Sequence, residues 1–304
     1  MFQRAIEIVS VFTHPVIVSK KLHSGTVESG CGAFMFLNSE GWVLTAGHIM
    51  QDYQLFHDVH TPELKTYREA VQKIQDNQSL NPKQKQGEIG HLKTSTQWIE
   101  KISYWWSRNG VHFSEIAVDP LADLAVAKLS SFDSTSVSAY PTFRNPLDEV
   151  KQGTSLCRLG FPFHQIKSSF DTATGSFQLA EGMLPIPRFP LDGICTRHAN
   201  VVDASSGRSV RFIETSSPGL RGQSGGPIFT SDGCIVGIQS RTIHLPLGFS
   251  PSIRQGNNET VEHQFLNVGL GTYVTEVLTF LDNNKIKYSL APNNALHADA
   301  SSPR

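Results

Sequence analysis

The feature that most constrains this chain is Arg221-Gly222-Gln223-Ser224-Gly225-Gly226-Pro227, three glycines set closely around one serine. Glycine tolerates positive φ and lets another backbone come close, so the stretch can turn sharply beside the Ser224 hydroxyl. The amides of Gly222 and Ser224 can then converge on a developing oxyanion. A hairpin turn with a polar tip has a similar composition. Taken alone, the stretch leaves both readings open, and the rest of the chain must decide between them.

Two further stretches carry chemistry. Val43-Leu44-Thr45-Ala46-Gly47-His48 is an apolar run that ends abruptly on a histidine. Ala122-Asp123-Leu124-Ala125-Val126-Ala127-Lys128-Leu129 is an apolar strand opened by an aspartate. Asp119 competes for that role, but it precedes Pro120 and no apolar strand follows it directly. A serine hydroxyl is a poor nucleophile at neutral pH and needs a base within reach, itself held by a third group. The order His48, Asp123, Ser224 is that of the two-barrel serine proteases.

On these motifs the sequence resembles the trypsin-like, chymotrypsin-fold family of serine peptidases. Phe212-Ile213-Glu214-Thr215 and Val236-Gly237-Ile238 are most similar to its bacterial HtrA-type branch, here without the peptide-binding PDZ domain. The resemblance runs from about residue 24 to 277 with one large interruption. It implies an all-β fold of two six-stranded antiparallel β-barrels. His48 is then the general base, Asp123 its orienting partner and Ser224 the nucleophile of an acyl-enzyme, with Gly222 and Ser224 forming the oxyanion hole. The function implied is a serine endopeptidase. The alternatives are a non-catalytic peptide-recognition module on the same fold and an esterase using the same triad.

The same carry-over lines the specificity pocket with Pro218, Thr242 and Gly271, and sets Gln239, Ser240 and Arg241 along the substrate backbone as an added strand. Pro218 stands where digestive relatives keep the acid that attracts Lys or Arg, so cleavage after an uncharged, small to medium residue is expected. A preference for acidic residues is the runner-up, because Arg241 and His244 lie nearby in sequence. Gln223 stands where secreted relatives have an aspartate that pairs with a newly released amino terminus. Being neutral, it cannot form that ion pair, so no amino-terminal processing is expected.

Composition narrows the setting. A formal net charge of −1 gives no electrostatic case for nucleic acid or an anionic membrane. No stretch approaches the roughly 20 apolar residues that span a bilayer, and residues 1–22 lack the apolar centre of a secretory signal. The four cysteines Cys31, Cys157, Cys195 and Cys234 include no C-x-x-C pair. Secreted relatives join the loop before the catalytic histidine to the residue just after it. Cys31 matches the first partner, but Ile49 follows His48, so the bridge is excluded and a cytoplasmic location is expected. His57 and His60 match no zinc pattern, and no phosphate-cradling loop appears, so no metal or cofactor is expected.

In chain order, residues 6–18 read as an opening strand or a short helix. Residues 30–37 and 42–45 read as a hairpin that delivers His48. The interval between His48 and Asp123 exceeds what the family spends there, and its excess, residues 52–112, reads as a helical hairpin inserted into the first barrel. Thr61-Pro62-Glu63 opens one helix with Leu64, Tyr67, Val71 and Ile74 on one face, and Asn81-Pro82 stops it. Thr94-Ser95-Thr96-Gln97 opens a second, with a Trp98, Ile102 and Trp105 stripe. Its stripes can pack on the barrel, or it can act as a lid or a docking arm for a regulatory partner. The peptidase domain is expected over residues 1–290, with barrels at about 1–135 and 136–290, a closing helix from Val274 to Asn284, and a disordered tail at 291–304 that leaves no room for a further domain.

Overall fold

A computed structural model describes residues 1–106, 109–255 and 258–293. Helix α1 (Gln3–Phe12) runs directly into strand β1 (Thr13–Leu22), so the opening segment that periodicity left undecided is helix in its first half and strand in its second. Strands β2 (Val27–Phe36) and β3 (Trp42–Ala46) form the expected hairpin. Its turn is set by the Asn38 side chain accepting from the Glu40 amide and by Gly41 at φ +83°. Every residue of β3 is buried.

Helix α2 (Gly47–Gln54), a wide π turn over Leu55–His60, α3 (Thr61–Asp76) and α4 (Pro82–Gly90) then follow. The helical hairpin therefore exists as α3 and α4, but the second helix lies earlier than expected. Asn81 accepts from the Gln84 amide while the Gln84 side chain accepts from the Asn81 amide, a reciprocal cap that starts α4 where Asn81-Pro82 looked like a stop. The expected helix carrying Trp98, Ile102 and Trp105 is instead strand β4 (Ile99–Trp106), hydrogen-bonded to β1 with Lys20 opposite Ile102 and Ile17 opposite Trp105. Isoleucine and aromatic side chains suit a pleated surface, and β1 offers them one to pack against.

Short β5 (Asn109–Val111), β6 (Phe113–Asp119) and β7 (Leu124–Leu129) complete the first sheet, in the order β5-β4-β1-β2-β3-β7-β6. It holds six substantial antiparallel strands plus β5. The second sheet begins with two-residue β8 (Thr142–Phe143) and β9 (Ser155–Gly160), and the hairpin β10 (Ser168–Asp171) and β11 (Ser176–Leu179) stands apart from it. Strands β12 (Phe189–Val202), β13 (Ser209–Thr215), β14 (Pro227–Phe229) and β15 (Ile235–Pro246) follow. After a small hairpin of β16 (Ser252–Gln255) and β17 (Asn258–Val261) comes β18 (Phe265–Tyr273). The pairings β14-β9-β12-β13-β18-β15 close back on β14, a six-stranded ring with no free edge around its core. Helix α5 (Val274–Asn283) buries Val274, Val277, Leu278, Phe280 and Leu281, and β19 (Ser289–Leu290) pairs in parallel with β8.

One connected core joins both sheets, from Phe36 and Leu44 to Phe212, Val236 and Leu281. Among the described residues no helix is long and apolar enough to cross a membrane. The tail expected to be disordered lies outside the described residues from 294 onward.

The core makes the fold sensitive to acid through His14. Its ring lies against Phe34, Phe36 and Trp106, with Nε2 donating to the Val11 carbonyl. Burial there pushes its pKa down to about 4 from an ordinary 6.5. The unfolded chain therefore takes up a proton near pH 6.5 that the folded chain refuses until about pH 4. Stability is complete above 6.5 and falls as the pH drops through this window. Urea unfolding at pH 7 and pH 4.5 should show a loss about 2.5 kcal/mol larger in wild type than in His14→Gln, which stays neutral and keeps a donor. Equal acid losses in the two proteins would remove His14 from the account.

Candidate active site

His48 is the second residue of α2, at the end of buried β3, and Asp123 sits in the turn just before β7, the strand paired with β3. Adjacent strands thus bring the two together. Asp123 adopts φ +51°, a conformation aspartate tolerates better than most residues. Its Oδ1 accepts from the His48 amide at 2.8 Å, and His48 Nδ1 lies 3.0 Å from Oδ2 and 3.1 Å from Oδ1. Nδ1 is therefore the protonated ring nitrogen, and Nε2 is left as an acceptor. Burial alone would raise the Asp123 pKa, but bonds from His48 and Ser240 hold it below the usual carboxylate range.

Ser240 touches both ends of this arrangement. The ladder between β15 and β18 shifts register between Gln239 and Arg241, making Ser240 an inserted bulge residue. Its hydroxyl donates to Asp123 Oδ2 at 2.5 Å, and its carbonyl accepts from Ser224 Oγ at 3.4 Å. The resemblance implies a place for Ser240 along the substrate; the structure gives it a contact on the aspartate. Ser240→Ala removes one hydrogen bond to a carboxylate and should lower kcat/KM about 3- to 10-fold with little change in melting temperature. An unchanged rate would show that His48 alone orients Asp123.

The Ser224 loop is fixed by close backbone approaches from both sheets. The Ala33 amide donates to the Ser224 carbonyl, the Gly225 amide to Gln239 and the Gln239 amide to Gly226, each at 2.8 Å. Gly222 and Gly225 have φ +95° and +80°. Among the hydrogen bonds of the described residues, the Gly222 and Ser224 amides donate to nothing, while the neighbouring Gln223, Gly225 and Gly226 amides are all used. Gln223 is fully buried. Its side chain accepts from the Leu220 amide at 3.0 Å and donates to the Phe189 carbonyl at 3.4 Å. A neutral amide thus holds the loop.

His48 and Ser224 face a cleft of about 740 Å³ between the two sheets. One wall comes from β2 and α2, with Gly30, Cys31, Ile49 and Asp52, and the other from Phe161, Phe163 and His164 after β9. Phe163, at φ +62° and exposed, stacks edge-on with Phe189 and escaped the sequence reading. Pro218, Gln239, Arg241, Thr242 and Gly271 lie outside this cleft. They gather instead beside residues 217–219, where the Thr242 hydroxyl donates to the Gly219 carbonyl and Gln239 donates to the Arg241 and Leu270 carbonyls. Gly271 stands opposite Gln239 in the β15–β18 ladder.

Comparisons with known proteins bear on this geometry. The family described as trypsin-like peptidase domain matches residues 30–238. No curated protein matches the chain. Among solved structures, similarity is found to the HtrA-type protease AlgW with tripeptide, at 14% identity and TM-score 0.46 over 93% of this chain and 62% of that one. A serine-to-alanine variant of the same protease, also with tripeptide, gives 13% identity and TM-score 0.47 over the same shares. The Rv3671c protease from M. tuberculosis in its active form gives 10% identity and TM-score 0.48, over 94% of this chain and 86% of that one. The chain thus spans about 62% of the length of AlgW.

Proposed function

The chain belongs to the trypsin-like peptidase domain family, and we propose that it is a serine endopeptidase acting through His48, Asp123 and Ser224. The observation that carries this reading is the His48–Asp123 pair opening on the same cleft as Ser224, beside two unused amides. His48 Nε2 takes the Ser224 proton as Oγ attacks the substrate carbonyl, and later returns it to the leaving amine. Asp123 holds the ring and stabilises its charged form. The Gly222 and Ser224 amides receive the oxyanion, a contribution of about 3 kcal/mol per donor. In the resting structure Ser224 Oγ points at the Ser240 carbonyl, so the bond to His48 forms as substrate arrives.

The substrate is a protein or peptide, and no cofactor or metal enters the reaction. Gln223, already satisfied by Leu220 and Phe189, removes the need for a new amino terminus, so the chain beginning at Met1 is active as it stands. A cytoplasmic location fits four free cysteines. The peptidase domain takes in both sheets, and a regulatory partner, if one acts, docks on the 52–112 insertion. Within that insertion α3 and α4 are the available surface, because Trp98 and β4 are built into the first sheet.

A mixed peptide library and a panel of simple esters, each offered to wild type and Ser224→Ala, test the reading. Peptide cleavage lost in Ser224→Ala supports it. Ester hydrolysis with intact peptides would make the protein an esterase, and no turnover of either would leave a recognition module.

A further inference from the structure

Strand β9 reads Ser155-Leu156-Cys157-Arg158-Leu159-Gly160, an apolar strand with one cation in its middle. Arg158 is 2% exposed. Its Nη2 donates to Thr215 Oγ1, while its Nη1 is buried with no partner. Among the described residues no carboxylate pairs with it, and burial keeps the adjacent Cys157 thiol neutral by pushing it up to about 11. A guanidinium keeps its proton in a protein, so this is a buried positive charge without a counter-ion. Such a charge is costly unless something pairs with it. Burial accordingly draws its pKa down to about 10.

The position of that charge is informative. The guanidinium occupies the space beside Gly269, where an added Cβ would stand 2.5 Å from Nη1 and 2.7 Å from Nη2. Gly269 pairs with Thr242 across one ladder and with Thr215 across the other, and its amide donates to the Ser217 carbonyl at 2.8 Å. Arg158 therefore lies under the ring formed by residues 215–219, 239–242 and 269–271. Two more buried polar atoms of this ring, Ser217 Oγ and Gln239 Oε1, also lack partners. Buried polar groups are nearly always paired, so an orphaned cation against Thr215 and Gly269 points to a missing anionic ligand. The cations nearby in sequence are differently engaged. Arg241 is exposed over the Phe212 ring, and His244 Nδ1 lies 2.5 Å from Asn267 Oδ1.

We infer that Arg158 is the floor of the specificity pocket and that the enzyme cleaves after acidic residues. The Glu or Asp carboxylate accepts from Arg158 Nη1, forming a charge-assisted bond in a dry site. Glycine at 269 is what lets the guanidinium reach this place, since a Cβ there would collide with it. In the resting structure the Thr242 hydroxyl donates to the Gly219 carbonyl across this ring. Lysine or arginine is rejected by like charge, and an apolar side chain leaves the cation unpaired. This inference rests on the peptidase reading above and replaces the small, uncharged residue expected from Pro218.

The test uses the full chain and matched peptides differing only in the residue before the cut: Glu, Asp, Gln, Ala, Leu or Lys. Uptake of a fluorophosphonate is measured on the same sample. The better acidic peptide should exceed Gln and Ala by about 100-fold in kcat/KM, because a site built to bond a polar group rejects a substrate that lacks it. In Arg158→Met protein the ratio of acidic to Gln cleavage should fall to within a few-fold of one. Uptake of the probe with Ala, Leu or Gln preferred overturns the pocket assignment alone, as does an acidic preference that survives Arg158→Met. No uptake by wild type overturns the peptidase reading and the pocket with it. The wild-type ratio needs no variant, so it decides the matter even where Arg158→Met does not fold.

Discussion

Replacing His48 by alanine is expected to reduce peptide hydrolysis by about 10⁵-fold or more while leaving the fold intact. The size follows from the division of labour. Without a base the Ser224 hydroxyl keeps its proton at neutral pH, and the other members of the triad cannot act alone. His48 is also the triad residue best placed for a clean substitution, since its side chain is 43% exposed and packs little. Asp123→Asn should cost about 10⁴-fold, less than His48→Ala, because the ring remains but its tautomer and charge are no longer held. Rates are compared on one peptide, with thermal unfolding run alongside. If His48→Ala kept rates within tenfold of wild type, another base would be at work and the site would be misassigned.

The second large effect is structural. Gly225→Ala should destabilise the protein by about 3 kcal/mol and abolish most activity. The residue sits at φ +80°, where a side chain adds strain of about 1 kcal/mol. A Cβ there would also collide with the Ala33 carbonyl and Thr45 Oγ1 and stand 2.8 Å from the Ala46 amide, for about 2 kcal/mol of overpacking. These neighbours are strand atoms of the first sheet. Thr45 Oγ1 already donates to the Ala33 carbonyl at 2.7 Å and cannot withdraw freely. The Ser224 carbonyl bond to Ala33 would break, and with it the alignment of nucleophile and base. At this chain length the melting temperature should drop by about 6–12 °C. A fully stable, fully active Gly225→Ala protein would mean that the serine loop is not clamped between the sheets as described.

Much of the proposed site was legible in the sequence because each of His48, Asp123 and Ser224 is announced by its own few neighbours. An apolar strand ending in Gly47-His48, an aspartate opening Leu124–Leu129, and a serine among glycines are local patterns that need no long-range information. The insertion was harder. Trp98, Ile102 and Trp105 repeat at helical spacing, but the same residues suit a strand, and only the pairing with β1 decides between them. Asn81-Pro82 has the composition of a helix stop, yet Gln84, three residues on, completes the signature of a start.

Within the site, the roles of Ser240 and Gln223 depend on contacts distant in sequence. Ser240 acts through a bulge, which no residue pattern announces. Gln223 announced its neutrality but not the Leu220 and Phe189 groups that satisfy it. Arg158 did leave a sign: one arginine alone in an apolar strand of Leu156, Cys157 and Leu159. That sign gains meaning only when folding brings Thr215 and Gly269 against the guanidinium.

The central claim is that the chain beginning at Met1 carries a nucleophilic serine at position 224, activated without amino-terminal trimming. Intact-mass analysis of the untrimmed protein after fluorophosphonate treatment tests it most directly. The account predicts one adduct per chain, mapped to the peptide containing Ser224, formed without loss of residues from Met1 and absent from Ser224→Ala. Absence of an adduct on wild type, equal labelling of Ser224→Ala, or labelling only of chains shortened at the amino terminus would contradict it.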